Sequence, residues 1–346
     1  MSYTNGLDNP ELYFQVKLHS GDGGGGDSLT FDGDENMQPD MVWSKSRTEA
    51  LNHTLFDSVR TAASNKELTP NESAAEGGAD TAGFGYISAF GSDGFTWVAG
   101  GTNTENFNKS SQTYVHWCWK ESATSGFDII SYTGNATNRT ISHSLSAVPK
   151  MMVTKNREET DSWRVYHEGM GNTKVMYLNI TEASETLTTA WNSTTPTSSV
   201  FTVGTDNGTN RDGDGMIAYL FSEKQGYFKA GSYVGNGASN TNGQFIYLGF
   251  RPAMVLVKRT NGTKDWKIFD NKRNGYNGSN EVLEPNNSDA EDTTEFLDFL
   301  SNGFRWIIPS SDAKYADVNG DGDTFIYMAF AEAPLVNSKG VPCNAR

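Results

Sequence analysis

The feature that most constrains this chain is a segment that returns three times with the same internal spacing. FQVKLHSGD begins at Phe14, FDIISYTGN at Phe127 and FKAGSYVGN at Phe228, each with a Gly seven residues after the Phe (Gly21, Gly134, Gly235). The following residue is Asp22, Asn135 or Asn236, types that tolerate turn geometry, so each segment reads as a strand running into a turn. A second landmark starts at Pro39, Pro149 and Pro252, with Met two positions on (Met41, Met151, Met254) and Lys six positions on (Lys45, Lys155, Lys258). Proline suits the first residue of a strand, because its missing N–H costs nothing there. Seventeen residues after each Pro stand Phe56, Tyr166 and Phe269, with His53, Trp163 and Trp266 three residues before them.

Two further landmarks complete the pattern. SDGFTW, SSVFTVG and SNGFRW carry Phe95, Phe201 and Phe304, and the pairs Asp93-Gly94 and Asn302-Gly303 are strong hairpin signals. Each copy closes on YVHWCWKE, MIAYLFSE or FIYMAFAE, which end in Glu121, Glu223 and Glu332 with Trp119, Phe221 and Phe330 two residues earlier. Internal repetition with this fixed spacing means tandem copies of one module. The period is about a hundred residues, the size of a small β-sandwich. Apolar Phe14, Val16 and Leu18 alternate with polar Gln15, Lys17 and His19, predicting a strand with one packed and one solvated face. The fold expected is all-β: three tandem β-sandwich, jelly-roll-like modules over residues 12–122, 123–226 and 227–333, able to pack about a pseudo-threefold axis. An N-terminal segment, 1–11, and a C-terminal tail, 334–346, flank them. The stretch SDAEDTTEFLDFLSNGF leaves room for one short helix.

Composition narrows the function. The chain has 346 residues, and its formal net charge of -15 argues against a nucleic-acid partner, whose phosphates need clustered Lys and Arg. No apolar run approaches the roughly 20 residues of a membrane helix, so no membrane insertion is expected. The opening MSYTNGLDNPEL has neither the basic nor the apolar region of a secretory leader, which predicts synthesis in a cytoplasm. Cys118, inside Trp117-Cys118-Trp119, reads as a small buried hydrophobe, and Cys343 as an incidental thiol.

Several local motifs have a structural reading beside a functional one. In DVNGDGD, Asp317, Asn319, Asp321 and Asp323 recur at alternate positions, as in the first half of a calcium loop. Position twelve is Met328 where a bidentate acid is required, so the loop reads first as a solvated acidic turn and second as a weak calcium site. No other cofactor is expected. Asp57 with Arg60, and Asp270 with Arg273, read as strand-end ion pairs that the middle copy lacks. Trp97, Trp191 and Trp306 lie in or beside loops and are the candidates for stacking on sugar rings. Catalytic motifs are missing: the five His are scattered, and neither a nucleophile elbow nor a zinc-binding helix motif occurs. Glycosylation sequons at Asn71, Asn108, Asn138, Asn179 and Asn192 carry little weight without a secretory leader.

The landmark P-x-M-[VM]-x-x-K-x-R, the Y-x-G-N openings, SSVFTVG, RPAMVLVKR and the ending FIYMAFAEAPLVNSKGVPCNAR together resemble a family of repeat-containing structural proteins of marine bacteriophages, including those infecting cyanobacteria. The resemblance covers Phe14 to Arg346. It implies a place in the virion but carries no catalytic residues to particular positions; the partners expected there are other virion proteins and further copies of the chain, as a homo-oligomer. The expectation is a non-enzymatic tail or fibre-like component that contributes to attachment, with a host-surface glycan as its ligand. The alternatives are capsid decoration, as a head-fibre protein of purely architectural role, and a glycan-degrading depolymerase.

Overall fold

The computed structural model describes residues 7–78, 81–100, 106–238, 242–273, 277, 281–294 and 296–344. The ends of the N-terminal segment and of the tail lie outside them. The chain is all-β, and its strands follow the landmarks. In each copy the opening strand (Phe14–Ser20, Phe127–Thr133, Phe228–Val234) pairs antiparallel with the closing strand (Thr113–Trp119, Gly215–Ser222, Thr324–Pro334). The closing strand pairs in turn with the strand of the proline landmark (Met41–Ser46, Pro149–Asn156, Phe250–Arg259), and that with a short strand at Thr54–Asp57, Arg164–His167 or Lys267–Asp270. Strand order in the three large sheets is therefore the same; the second adds Lys174–Tyr177 and Glu185–Thr186 beyond its short strand.

A small sheet covers the outer face of each large one. It is built on Gly94–Val98 between Gly26–Leu29 and Tyr86–Gly91, on Val200–Val203 with Arg139–Ser142, and on Gly303–Trp306 between Phe245–Tyr247 and Leu297–Leu300. Two of the expected hairpins form, one residue off the expected turn: the loops are Ser92-Asp93 and Ser301-Asn302, with Gly94 and Gly303 already paired. The acidic stretch read as room for a helix holds the strand Leu297–Leu300 instead. Its Leu297 and Phe299 alternate inward with a period of two, which a helix would not satisfy.

The inner faces of all three large sheets share one core. Registers align Phe14 with Trp119 and Met41, Phe127 with Phe221 and Met151, and Phe228 with Phe330 and Met254. The repeated Phe, aromatic and Met are thus one row of side chains per sheet, all aimed at the axis. Phe330 lies 4.9 Å from Phe14, 5.9 Å from Phe221 and 4.8 Å from Phe228, centroid to centroid. Burying each such ring contributes about 1.5–3 kcal/mol. Outward residues of the same strands, such as Cys118, Leu220 and Ala329, enter three separate outer cores. The closing strands consequently have no solvated face, which the alternation in the opening strand did not foretell. The repeated glycine marks a close backbone crossing: a Cβ on Gly134 would stand 1.9 Å from the Arg211 carbonyl oxygen.

Candidate functional site

Three seams join the units, and they repeat one set of contacts in a cycle. An Asn further along the chain from each short strand accepts from its own unit's backbone: Asn71 from His53 N–H, Asn179 from Trp163 N–H, Asn286 from Trp266 N–H. The ring of that second residue reaches into the preceding unit. Trp163 Nε1 donates to the Thr69 and Glu72 carbonyls, Trp266 Nε1 to Tyr177, and His53 Nε2 to Glu284. His53 Nδ1 accepts from Trp43, so His53 takes the place of the two tryptophans with its other nitrogen free to donate. Backbone bonds then close each seam: Glu76 N–H to Arg157, Ser184 N–H to Thr260, Glu291 N–H to Arg47.

The repeated lysines lie under these seams. Lys155 and Lys258 donate across them to the Ser73 and Thr181 carbonyls, and Lys45 donates to Ser46 and Glu49 in its own unit. Burial pushes all three down to about 8. They hold main-chain oxygens, and their role is assembly.

The F-D-x-x-R residues are ion pairs, but deep inside the seams rather than at solvated strand ends. Asp57 pairs with Arg60 at 2.6 Å and accepts from the Tyr219 hydroxyl of the second unit; Asp270 pairs with Arg273 at 2.6 Å and accepts from Trp117 Nε1 of the first. Arg60 continues to Glu76 and so to Arg157, and Arg273 to Glu291 and so to Arg47. Against the burial that would raise it, Arg157, Lys66 and Arg60 hold Glu76 at about 2. In the remaining seam the corresponding positions are His167, Met170, Ser184 and Thr260. His167 Nε2 donates to the Tyr327 carbonyl, and burial lowers it to about 4.

The tryptophans proposed for sugar stacking are not on the surface. Trp97, Trp191 and Trp306 are 3%, 0% and 0% exposed and fill the three outer cores. Each sits beside a loop in sequence, but its strand or short helix turns the indole inward, so no ring face is open to a ligand. In the DVNGDGD loop, Asp317 meets Lys264 at 2.9 Å and Lys267 at 3.1 Å, and Asp323 meets Arg259 at 2.6 Å. Asn319 spends its amide on Asn236 and Ala238, and only Asp321 is exposed. Lysine and arginine thus occupy the carboxylates a cation would need. Among the described residues no group of three or more His, Cys, Asp or Glu could hold a metal ion. Sequon residues Asn71, Asn108 and Asn179 are buried, closing them to a glycan.

Glu121 and Asp128 form a hydrogen-bonded carboxyl pair. Burial, and a hydrogen bond with Asp128, raise Glu121 to about 8. These carboxyls touch, whereas retaining glycosidases hold theirs about 5 Å apart with the sugar between.

A surface feature went unread in the sequence. Phe245 and Tyr247 stand two residues apart on one strand and are 40% and 53% exposed, with Ile246 buried between them. Register makes Ile246 the counterpart of Leu29 and Ile141, each opposite the Phe of the fourth landmark. The flanking positions are Ser28 and Thr30 in the first copy and Thr140 and Ser142 in the second. Aligning the copies through these strands, which the landmarks skipped, would have exposed the change. Tyr247 walls a cavity of about 320 Å³ that includes Glu223, Lys224, Gln225 and Lys229.

Residues 9–334 match the family described as a domain of unknown function (DUF7483), and the chain belongs to that family. No curated protein matches it. Among the described residues no helix is long and apolar enough to cross a membrane.

Proposed function

We propose that the protein is a non-enzymatic structural component of a bacteriophage particle, exposed on the tail or on a fibre-like appendage and contributing to attachment at the host surface. The observation that carries this reading is the closed cycle of seams. One chain supplies three equivalent sheets about a single aromatic axis, a shape suited to seating on a symmetric end of a larger assembly. Its sequence resemblance to marine phage structural proteins points the same way. Rigid β units with divergent outer surfaces suit recognition better than turnover.

Immunogold labelling of intact particles tests the location. Label at the tail or its appendages is the expected result; label on the head favours capsid decoration, and absence from purified particles overturns the proposal. Attachment is tested with purified protein, which is expected to slow adsorption of the phage to its host in proportion to concentration.

A further inference from the structure

We propose that the cavity beside Tyr247 is a saccharide-binding site selective for acidic sugars, a proposal that rests on the attachment reading and names the ligand class for it. The argument begins with the residue after each opening Phe. In the first unit Gln15 is buried and donates to the Glu11 carbonyl; in the second Asp128 is buried and accepts from Ser144. In both units neighbouring chain closes over this position. In the third the residue is Lys229, which donates to the Tyr247 carbonyl at 3.0 Å with its ammonium 5.5 Å from the Tyr247 ring centroid, and the space beside it stays open.

The lining has the mixture a sugar requires. Tyr247 is a half-exposed aromatic ring, able to take the apolar C–H face of a pyranose. Leu248, Phe250 and Leu335 supply apolar wall. Gln225, Glu223 and the two ammonium groups of Lys224 and Lys229 supply hydrogen bonds to hydroxyls. Two lysines against one glutamate leave a local positive excess on a chain of net charge -15, which selects carboxylated or sulfated sugars over neutral ones. The volume of about 320 Å³ lies within the range of small-ligand pockets. Phe245, exposed two positions along on the same face, extends the aromatic surface for a longer chain.

The test is a printed array of uronate-containing, sialylated, sulfated and neutral oligosaccharides, probed with the whole protein and with Tyr247→Ser, Phe245→Thr and Lys229→Gln. Tyr247→Ser and Phe245→Thr place at exposed positions the residue types of the second copy, Ser142 and Thr140, so their melting temperatures are expected to match the parent. Expected results are binding confined to acidic sugars, a loss of about tenfold or more with Tyr247→Ser, a smaller loss with Phe245→Thr, and reduced selectivity with Lys229→Gln. Failure of the parent to bind any sugar, preference for neutral ones, or equal binding by Tyr247→Ser overturns the site. The adsorption assay separates the two proposals. If Tyr247→Ser slows adsorption as well as the parent, attachment stands and the site falls; if the parent itself has no effect, the attachment reading falls.

Discussion

The seam between the first and second units and the seam between the second and third use the same scaffold and different chemistry. Both have the capped loop, the tryptophan reaching back, the buried lysine and the closing backbone bond. In the first of them Asp57, Arg60, Glu76 and Arg157 form a continuous charged chain. In the second, His167 donates to a carbonyl, Ser184 and Thr260 replace the Glu and Arg, and a groove of about 320 Å³ remains between Gly169, Ser184, Ser232 and Thr260. Ser131, the first-to-second counterpart of Ser232, instead meets Arg157. The difference teaches that the backbone and apolar contacts suffice to make a seam, and that the ion chain is an addition which must be satisfied once present.

The largest effect that could break this comparison comes from removing one end of the chain. Asp57→Ala leaves Arg60 buried beside an unfilled partner site, at an expected cost of about 3–5 kcal/mol in urea denaturation, and Asp270→Ala the same for Arg273. His167→Ala, in the neutral seam, is expected to cost about 1–3 kcal/mol, through a cavity and an orphaned carbonyl. Equal losses at the two kinds of seam would refute the distinction.

Acidity separates the seams next. Burial holds folded His167 at about 4, whereas an unfolded imidazole titrates at about 6.5. Between those values only the unfolded chain takes up the proton, so stability falls as pH drops from about 6.5 to 4, by about 1–3 kcal/mol. Burial lowers His53 and His116 in the same direction. Glu76, lowered from 4.5 to about 2, contributes stability that is present above pH 4.5 and lost only as pH falls toward 2. Denaturation midpoints measured from pH 7.5 to 3 are expected to show the histidine loss first, and His167→Gln is expected to flatten part of it. An unchanged slope in that variant would assign the acid sensitivity elsewhere.

Smaller still is the gain from transplanting the Glu76–Arg157 ion pair. Ser184→Glu with Thr260→Arg installs the missing pair in the open groove and is expected to add about 0.5–1 kcal/mol, since both positions are half-exposed. No gain in a double-mutant cycle would mean the groove cannot reproduce the charged geometry. At the bottom of the scale, calcium or a chelator is expected to leave the melting temperature unchanged, because Lys264, Lys267 and Arg259 already hold Asp317 and Asp323.

Much of the scaffold was legible in the chain. Spacing alone located the opening, proline and closing strands of each large sheet, because three paired strands that bring Phe, an aromatic and Met into one row cannot slip by a residue without turning their side chains outward. The absence of F-D-x-x-R from the middle copy was equally plain, and it marked the seam that would be neutral. The site residues were not legible in the same way. Trp97, Trp191 and Trp306 were judged by their nearness to turns, but exposure depends on which face of a strand meets which sheet. Asp317 and Asp323 matched a calcium spacing whose carboxylates are taken by lysines and an arginine distant in sequence. Phe245 and Tyr247 look like any strand aromatics until the small sheet shows that only Ile246 between them faces inward. The sequence by itself determined the repeat, the strand order's raw material and the positions where the copies diverge, since these depend on local periodicity and spacing. The closure of three sheets on one axis, the partners across each seam and the aromatic strand left facing water were decided by tertiary structure. They are set by contacts between residues a hundred or more positions apart.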